Sequence, residues 1–296
     1  MFIVKGNNKF ILSKKAWRNK ENNVIIKYDL EKIMDLFKKI EIVPYDLNWS
    51  EVFEKEKEHI SRALGANFVA IHHIGSTSVP GVYSKPKIDI IAVAKDRKLA
   101  ISDMKKLGYN FRGEWNIPLK CGFTKRDGVN VDVNLHMYFD ENHPEIELNI
   151  AFRDYLRTHS DVRDEYSKLK KEILADESSH QRVGKFSFPV YTIRKRAFID
   201  NILRTIGYNR LRVLKCLAEK EQEAANIFRR KNSEETANFE DKSHEHFVLY
   251  RGVEIIGYSC INITAGFNYE IFVDTAEEDK VFLENIVKQW IDAYID

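Results

Sequence analysis

Cysteine is scarce: Cys121, Cys216 and Cys260 are the three in 296 residues, far apart and without a CxxC pair. That odd, scattered set argues against a disulfide framework and against a zinc site, and it points to a reducing cytosol. Long apolar runs are also missing. None approaches the ~20 residues needed to span a bilayer, so no membrane partner is expected. The opening stretch MFIVKGNNKFILSKK is too short and too interrupted, by Lys5 and Lys9, to be the core of a signal peptide. A cytoplasmic protein is the expectation. No internal repeat or low-complexity segment occurs. Apolar residues make up 44% and charged residues 31%, which excludes a disordered or collagen-like chain. The length suits two domains of ~100–200 residues each.

Net charge is only +2, but it is unevenly spread. Lys and Arg outnumber Asp and Glu by 10 to 4 over residues 1–40, and by 15 to 8 over 151–215. Residues 41–150 are near balance at 14 to 16, and residues 216–296 are acidic at 8 to 17. The basic stretch after a near-neutral one suggests an anionic ligand, and the acidic end suggests a separate module. Because the positive groups flank a candidate site, a small anion is expected there rather than nucleic acid.

Periodicity divides the chain into a basic arm over 1–39, an α/β domain over 40–208 and a smaller region over 209–296. The arm reads as a hairpin (Phe2–Val4 with Phe10–Leu12, and Val24–Tyr28), then a helix through Leu30, Ile33, Met34 and Phe37. In the middle region Asn48-Trp49-Ser50 caps a helix with Phe53, Ile60 and Leu64 on one face. Phe68–Ile74 and Ile88–Ala94 read as strands, and Ile101–Leu107 as a helix closed by Gly108. Phe123–Lys125 and Val129–Met137 pair about Asp127-Gly128. Ile150–Thr158, Val162–Ala175 and a basic Tyr191–Ile206 read as helices. Beyond them, 211–231 reads as one charged helix. A hairpin turns at Arg251-Gly252, Tyr269–Val273 is a strand, and Lys280–Tyr294 is a helix with Phe282, Ile286, Trp290 and Ile291 on one face.

Three stretches carry chemistry. In His73-Ile74-Gly75-Ser76-Thr77-Ser78, a Gly-Ser turn after a strand offers backbone N–H groups and hydroxyls, which is how proteins hold phosphate oxygens. Asp89 lies on the next strand, where a carboxylate beside phosphate suits Mg²⁺, and Lys85 and Lys87 can neutralise phosphate charge. In the second stretch, alternation puts Asn130, Asp132, Asn134 and His136 on one strand face, so Asp132 can face the same metal as Asp89. His73 and His136 are equally readable as hydrogen-bonded core histidines. In the third, Arg153 and Arg157 share a helix face and their forks suit phosphate. Tyr166 and Lys170 repeat that spacing, and Asp154 is readable as a structural partner for a neighbouring Arg.

Together HIGSTSVPG, KPKID, NLHM, FRDYLRTHSDVRDEYSKLKKEILA and YTIRKRAFIDNIL resemble the GrpB family over about 40–205. GrpB proteins resemble the nucleotidyltransferase superfold, a mixed sheet with flanking helices. The resemblance implies that Gly75 and Ser76, with Thr77, form the phosphate turn. It makes Asp89 the first metal carboxylate and Asp132 the candidate third. The place of the second carboxylate is held by Ile91, so one Mg²⁺ rather than a pair is implied. HEHFVLYRGVEIIGYSCINI and YEIFVDT resemble part of a GNAT acetyltransferase. Where that fold has a glycine-rich pyrophosphate loop, Asp274–Asp279 has no glycine and is acidic. A degenerate α/β half-domain is expected, without acetyl-CoA, its hydrophobic strands serving instead to cover the first domain or to make a homodimer.

The expectation is therefore a nucleotidyltransferase-like protein that binds a nucleoside triphosphate with Mg²⁺ and passes a nucleotidyl group to a small acceptor. Asp89 and Asp132 would be the metal and catalytic residues. Gly75, Ser76, Thr77, Lys85, Lys87, His136, Arg153, Arg157 and Lys170 would hold the phosphates. The alternatives are an anion-binding module with an incomplete metal site, acyl transfer by the C-terminal region, and an interaction protein with an acidic end.

Overall fold

The computed structural model describes residues 2–6, 9–13, 39–114, 116–126, 131–183, 188–217, 219–232, 234–264, 268–274 and 279–295. Contacts divide the chain into Met1–Lys38 and Lys39–Asp296. In the first unit, β1 (Phe2–Gly6) pairs antiparallel with β2 (Lys9–Ser13), Ile3 facing Leu12. The strand at 24–28 and the helix expected through Leu30 and Phe37 lie outside the described residues.

The second unit begins with α1 (Asn48–Leu64), which buries Trp49, Phe53, Ile60 and Leu64 at helical spacing. Leu47, not Asn48 or Ser50, is its N-cap residue, and no side chain makes the cap hydrogen bond; Asp46, just before it, accepts the Asn48 N–H at 2.9 Å. A five-stranded sheet follows, formed by β3 (Phe68–Ile74), β4 (Lys87–Ala94), β5 (Asn110–Glu114), β6 (Lys120–Lys125) and β7 (Asp132–Tyr138). The spatial order is β3-β4-β7-β6-β5, with β4 and β7 parallel and the other neighbours antiparallel. The sheet is thus mixed, as expected for this fold class. Between β4 and β5, α2 (Arg97–Lys106) starts where the Asp96 side chain accepts the Leu99 N–H at 2.8 Å.

Strand periodicity gives this sheet two different faces. On one, Ile88, Ile90, Ala92, Val133, Leu135, Met137 and Phe123 form the main core with the buried sides of α1 and α2. On the other, Ile74, Ile91, Val93 and Tyr138 pack against Ile146 and Ile150 of α3 (Pro144–Thr158). Next comes α4 (Ser160–Ala175), and then the short pair β8 (Arg182–Val183) and β9 (Phe188–Pro189). The single basic helix expected over 191–206 is two, α5 (Val190–Arg194) and α6 (Arg196–Thr205). The pieces have different anchors. Arg194 donates to Asp176 at 2.5 Å and Ser179 at 2.7 Å, while α6 buries Ile202 and Leu203.

A second sheet is antiparallel throughout, in the order β10 (Leu211–Lys215), β11 (His244–Arg251), β12 (Glu254–Asn262), β13 (Asn268–Val273). The charged helix expected over 211–231 therefore begins as strand, and only α7 (Glu219–Lys231) is helical. Pairing with β11 overrides helical spacing because alternation lets β10 bury both sides. Val213 joins a core with Leu283, Val287 and Ile291 of α8 (Lys280–Ile295), and Leu214 joins one with Ala225 and Phe228 of α7. The buried stripe of α8 is thus Leu283–Val287–Ile291, and Phe282, expected to be buried, is exposed. Among the described residues no helix is long and apolar enough to cross a membrane.

The two sheets are joined by a buried ion pair. Arg212 of β10 donates to Glu145 at the start of α3 at 2.6 Å, and to the Gly252 carbonyl at 2.6 and 3.2 Å. Burial pushes the Glu145 carboxyl up, but Arg212 beside it outweighs that and holds it below its ordinary range. Removing one partner strands the other charge. Glu145→Ala is expected to cost about 3–5 kcal/mol, and Glu145→Leu with Arg212→Met much less. Urea unfolding measures both, and a Glu145→Ala midpoint equal to wild type would contradict this account.

Candidate functional site

The turn after β3 is held by backbone geometry and side chains together. Gly75 has φ +70° and ψ −174°, a combination that side-chain-bearing residues avoid. A Cβ there would also stand 2.7 Å from Asp89 Oδ2, so glycine is required twice over. Residues Ser76–Ser78 form a 3-10 turn, with Ser78 Oγ donating to the Gly75 carbonyl at 2.6 Å. Thr77, placed among the phosphate ligands from sequence, is buried. Its hydroxyl donates to the Lys87 carbonyl at 3.1 Å and lies 3.2 Å from His73 Nε2. His73 stacks on Phe53, with centroids 4.7 Å apart. Burial, and then Arg157 and Arg153, push its ring down to about 4, so it is a neutral core group at neutral pH.

Beneath the turn lies Lys170 of α4, only 1% exposed. Its Nζ donates to the Tyr83 carbonyl and lies 3.1 Å from Ser76 Oγ and 4.4 Å from the Tyr166 ring centroid. Burial, with Lys195 adding repulsion, lowers the amine to about 6. The helical spacing of Tyr166 and Lys170 thus sets the ring beside the amine, and Lys170 reaches Ser76. Tyr83, in a loop, carried no sequence signal.

Asp89 is 30% exposed on its side chain, and its Oδ1 accepts from Asn134 Nδ2 at 2.9 Å. The parallel register sets Asp89 beside Asn134, Lys87 beside Asp132, and Ile91 beside His136. Asp132 therefore shares the face expected of it but stands one side-chain step along, opposite Lys87. His136 Nε2 is 3.0 Å from Asn134 Nδ2 and 4.0 Å from Asp89 Oδ1. Burial, then Lys120 and Lys87, push its ring well down. Lys120, which sequence reasoning passed over, lies on this face opposite Tyr138, and burial lowers its amine to about 8. Ile91 is fully buried beneath α3. Among the described residues there is no group of three or more His, Cys, Asp or Glu able to hold a metal.

Arg153 and Arg157 do reach the turn from one helix face, but they grip its backbone. Arg153 Nη1 donates to the His73 carbonyl at 2.9 Å. Arg157 donates to the Ser78 carbonyl through Nε at 3.0 Å and Nη2 at 2.7 Å. Arg153 also forks onto Asp154, at 2.7 and 3.0 Å. Lys85 Nζ lies 4.5 Å over the Tyr191 ring.

Residues 39–205, more than half of the chain, match the family model described as GrpB protein. The chain belongs to the GrpB family. It is similar to the UPF0157 protein YqkA of Bacillus subtilis, 39% identical over 142 residues, which are 47% of this chain and 40% of YqkA. It is 34% identical to the UPF0157 protein BH1888 of Halalkalibacterium halodurans over 53% of this chain and 82% of that protein. The crystal structure of conserved protein GrpB from Enterococcus faecalis is 29% identical, covers 55% of this chain and 94% of its own, and superposes with a TM-score of 0.46. The chain thus spans less than half of YqkA and most of BH1888. The GrpB match contains the turn, Asp89, Asp132, both arginines and Lys170, and ends before β10.

Two outcomes follow for the GrpB region. An unfolded lysine titrates near 10.5 and Lys170 in the fold near 6. Between those values the unfolded chain binds more protons, so stability rises with pH by up to about 1.4 kcal/mol per unit. Lys170→Met is expected to flatten that slope in thermal melts, and parallel wild-type and variant curves would count against it. Gly75→Ala is expected to cost about 1–3 kcal/mol in strain and to push Asp89 aside. Gly108→Ala is the control, because Gly108 also has positive φ but open space around its Cβ direction. Equal losses in the two variants would refute the crowding argument.

Proposed function

We propose that the GrpB region binds phosphate groups of a nucleotide at the Gly75–Ser78 turn. The observation that carries this reading is Lys170. It is buried against Ser76 Oγ, and no carboxylate lies within ion-pair distance among the described residues. Burial without a counter-ion disfavours the ammonium form, and a phosphate oxygen at Ser76 would supply the negative charge that restores it. The first N–H groups of the 3-10 turn have no acceptor within the turn. Lys87, on the Asp89 face, adds positive charge.

Nucleotidyl transfer is the second reading, favoured by the Asp89 carboxylate packed against Gly75. Mg²⁺ commonly binds through one or two carboxylates plus substrate phosphates, and Asp89, with Asp132 one step along, fits one such ion. The donor set does not fit a metal pair. An acid at the Ile91 position would be buried beneath Ile146 and Ile150. Any bound Mg²⁺ would supply charge neutralisation at the phosphates. Asp89 itself is kept in place by Asn134.

Calorimetry with ATP, GTP and inorganic triphosphate tests both readings. Triphosphate binding is expected without Mg²⁺, and Lys170→Met is expected to weaken it about 10- to 100-fold, the loss of one charge-assisted hydrogen bond. A folded wild-type chain that binds none of the three would overturn the proposal. Pyrophosphate release from ATP with Mg²⁺, lost in Asp89→Asn, would favour transfer over binding alone.

A further inference from the structure

β3 is an outer strand of the five-stranded sheet, with α1 against one face and α3 on the other. Along its free edge, between the two helices, lies a cleft of about 280 Å³. Its wall is built from one stripe of α1 (Phe53 and Lys57), from Ile71 and His72 of β3, and from Arg153 and Arg157 of α3. Ser76 and Asp89 are not part of it. The arginines that grip the turn from behind therefore open onto a different space.

The charges in this cleft are unequally satisfied. Arg153 is used on three sides, by Asp154 and the His73 carbonyl. Arg157 gives Nε and Nη2 to the Ser78 carbonyl, and its Nη1 reaches Asp154 only at 3.6 Å, with the side chain 40% exposed. Lys57 pairs with Glu54 at 2.9 Å and is 44% exposed. Two carboxylates thus face three cations. The excess is felt by the neighbours: after burial, Arg153 lowers both His72 and Arg157.

We infer that this cleft binds a small compound carrying a phosphate or carboxylate group. The oxyanion sits between Arg157 Nη1, Lys57 Nζ and the His72 ring. Phe53 and Ile71 meet its carbon part. A volume at the low end of ligand cavities, roughly 300–1,000 Å³, selects a small organic acid or phosphomonoester over a whole nucleotide. The inference does not rest on phosphate binding at Ser76.

The test is NMR of the histidine rings of the full chain, with the His72 signals assigned by His72→Gln. The probes are inorganic phosphate and, separately, succinate. A saturable shift of the His72 signals is expected with at least one probe, and the responding probe assigns the headgroup. Lys57→Glu, an exposed change that leaves the turn's clamps intact, is expected to weaken the response at least ~3-fold, and Arg157→Gln about tenfold. Lys170→Met is expected to leave it unchanged. An unshifted His72 with both probes, an unaltered affinity in Lys57→Glu, or loss of the response in Lys170→Met would each overturn the inference.

Discussion

The grip of Arg157 and Arg153 on two backbone carbonyls is the constraint on which the rest of the GrpB region depends. The chain leaves β3, turns through Gly75 in a conformation restricted to glycine, and re-enters the sheet at β4. Two carbonyls around it, one at the end of the outer strand β3 and one in the turn, accept from arginines. Arg157 takes the one at Ser78 and Arg153 the one at His73. Both arginines come from consecutive turns of α3, and α3 is seated on the sheet by Ile146 and Ile150. The apolar packing of one helix thereby fixes the position of a polar loop, and the Asp89 carboxylate occupies the space Gly75 leaves beside it.

Two buried basic side chains in this protein are treated in opposite ways. Arg212 lies between sheets with a carboxylate at 2.6 Å and a carbonyl on its other side, so its charge is matched within the fold. Lys170 has a hydroxyl, a carbonyl and an aromatic ring, all without formal charge. Structural economy explains the first arrangement, since an ion pair with filled hydrogen bonds tolerates burial. It does not explain the second, where an apolar residue of similar length would be less costly. An amine that lacks a counter-ion and lies against a glycine-serine turn can gain its proton when an anion arrives, and this asymmetry separates the turn from the ordinary polar surface around it.

Much of the fold was legible in the sequence because the signals were local. The strands read over Phe68–Ile74 and, from a short apolar run, over Ile88–Ala94 are present, as is the helix through Phe53, while the helix read over Ile150–Thr158 begins earlier, at Pro144. The misreadings arose where tertiary pairing decides. Leu211–Lys215 carries enough charge and leucine to read as helix, and it becomes a strand because β11 offers it a ladder. In α8 a one-residue rotation of the stripe exchanges Phe282 for Leu283, which hydropathy alone does not resolve. At the candidate site the residue types were legible and their partners were not. Arg153 and Arg157 were visible as cations on one helix face, but nothing in their spacing reveals that backbone carbonyls lie opposite. Asn134 was visible in an alternating strand, yet its place beside Asp89 depends on the parallel register of two strands more than forty residues apart.

That register also decides what chemistry the face can support. Alternation places Asp89, Ile91 and Val93 on one side of β4, so a second acid two residues after Asp89 would point the right way. The environment along that side is not uniform. Asp89 stands at the open end beside Asn134, while Ile91 is already beneath α3 with Ile146. An ionised carboxylate there would lose its water beneath α3, and removing the helix cover would release the arginines that hold the turn. The same helix that holds the Gly75–Ser78 turn thus closes the position a second metal ligand would need. Within this architecture, firm anchoring of the turn and a second carboxylate ligand would compete for the same surface, the one that Ile91 occupies beneath α3.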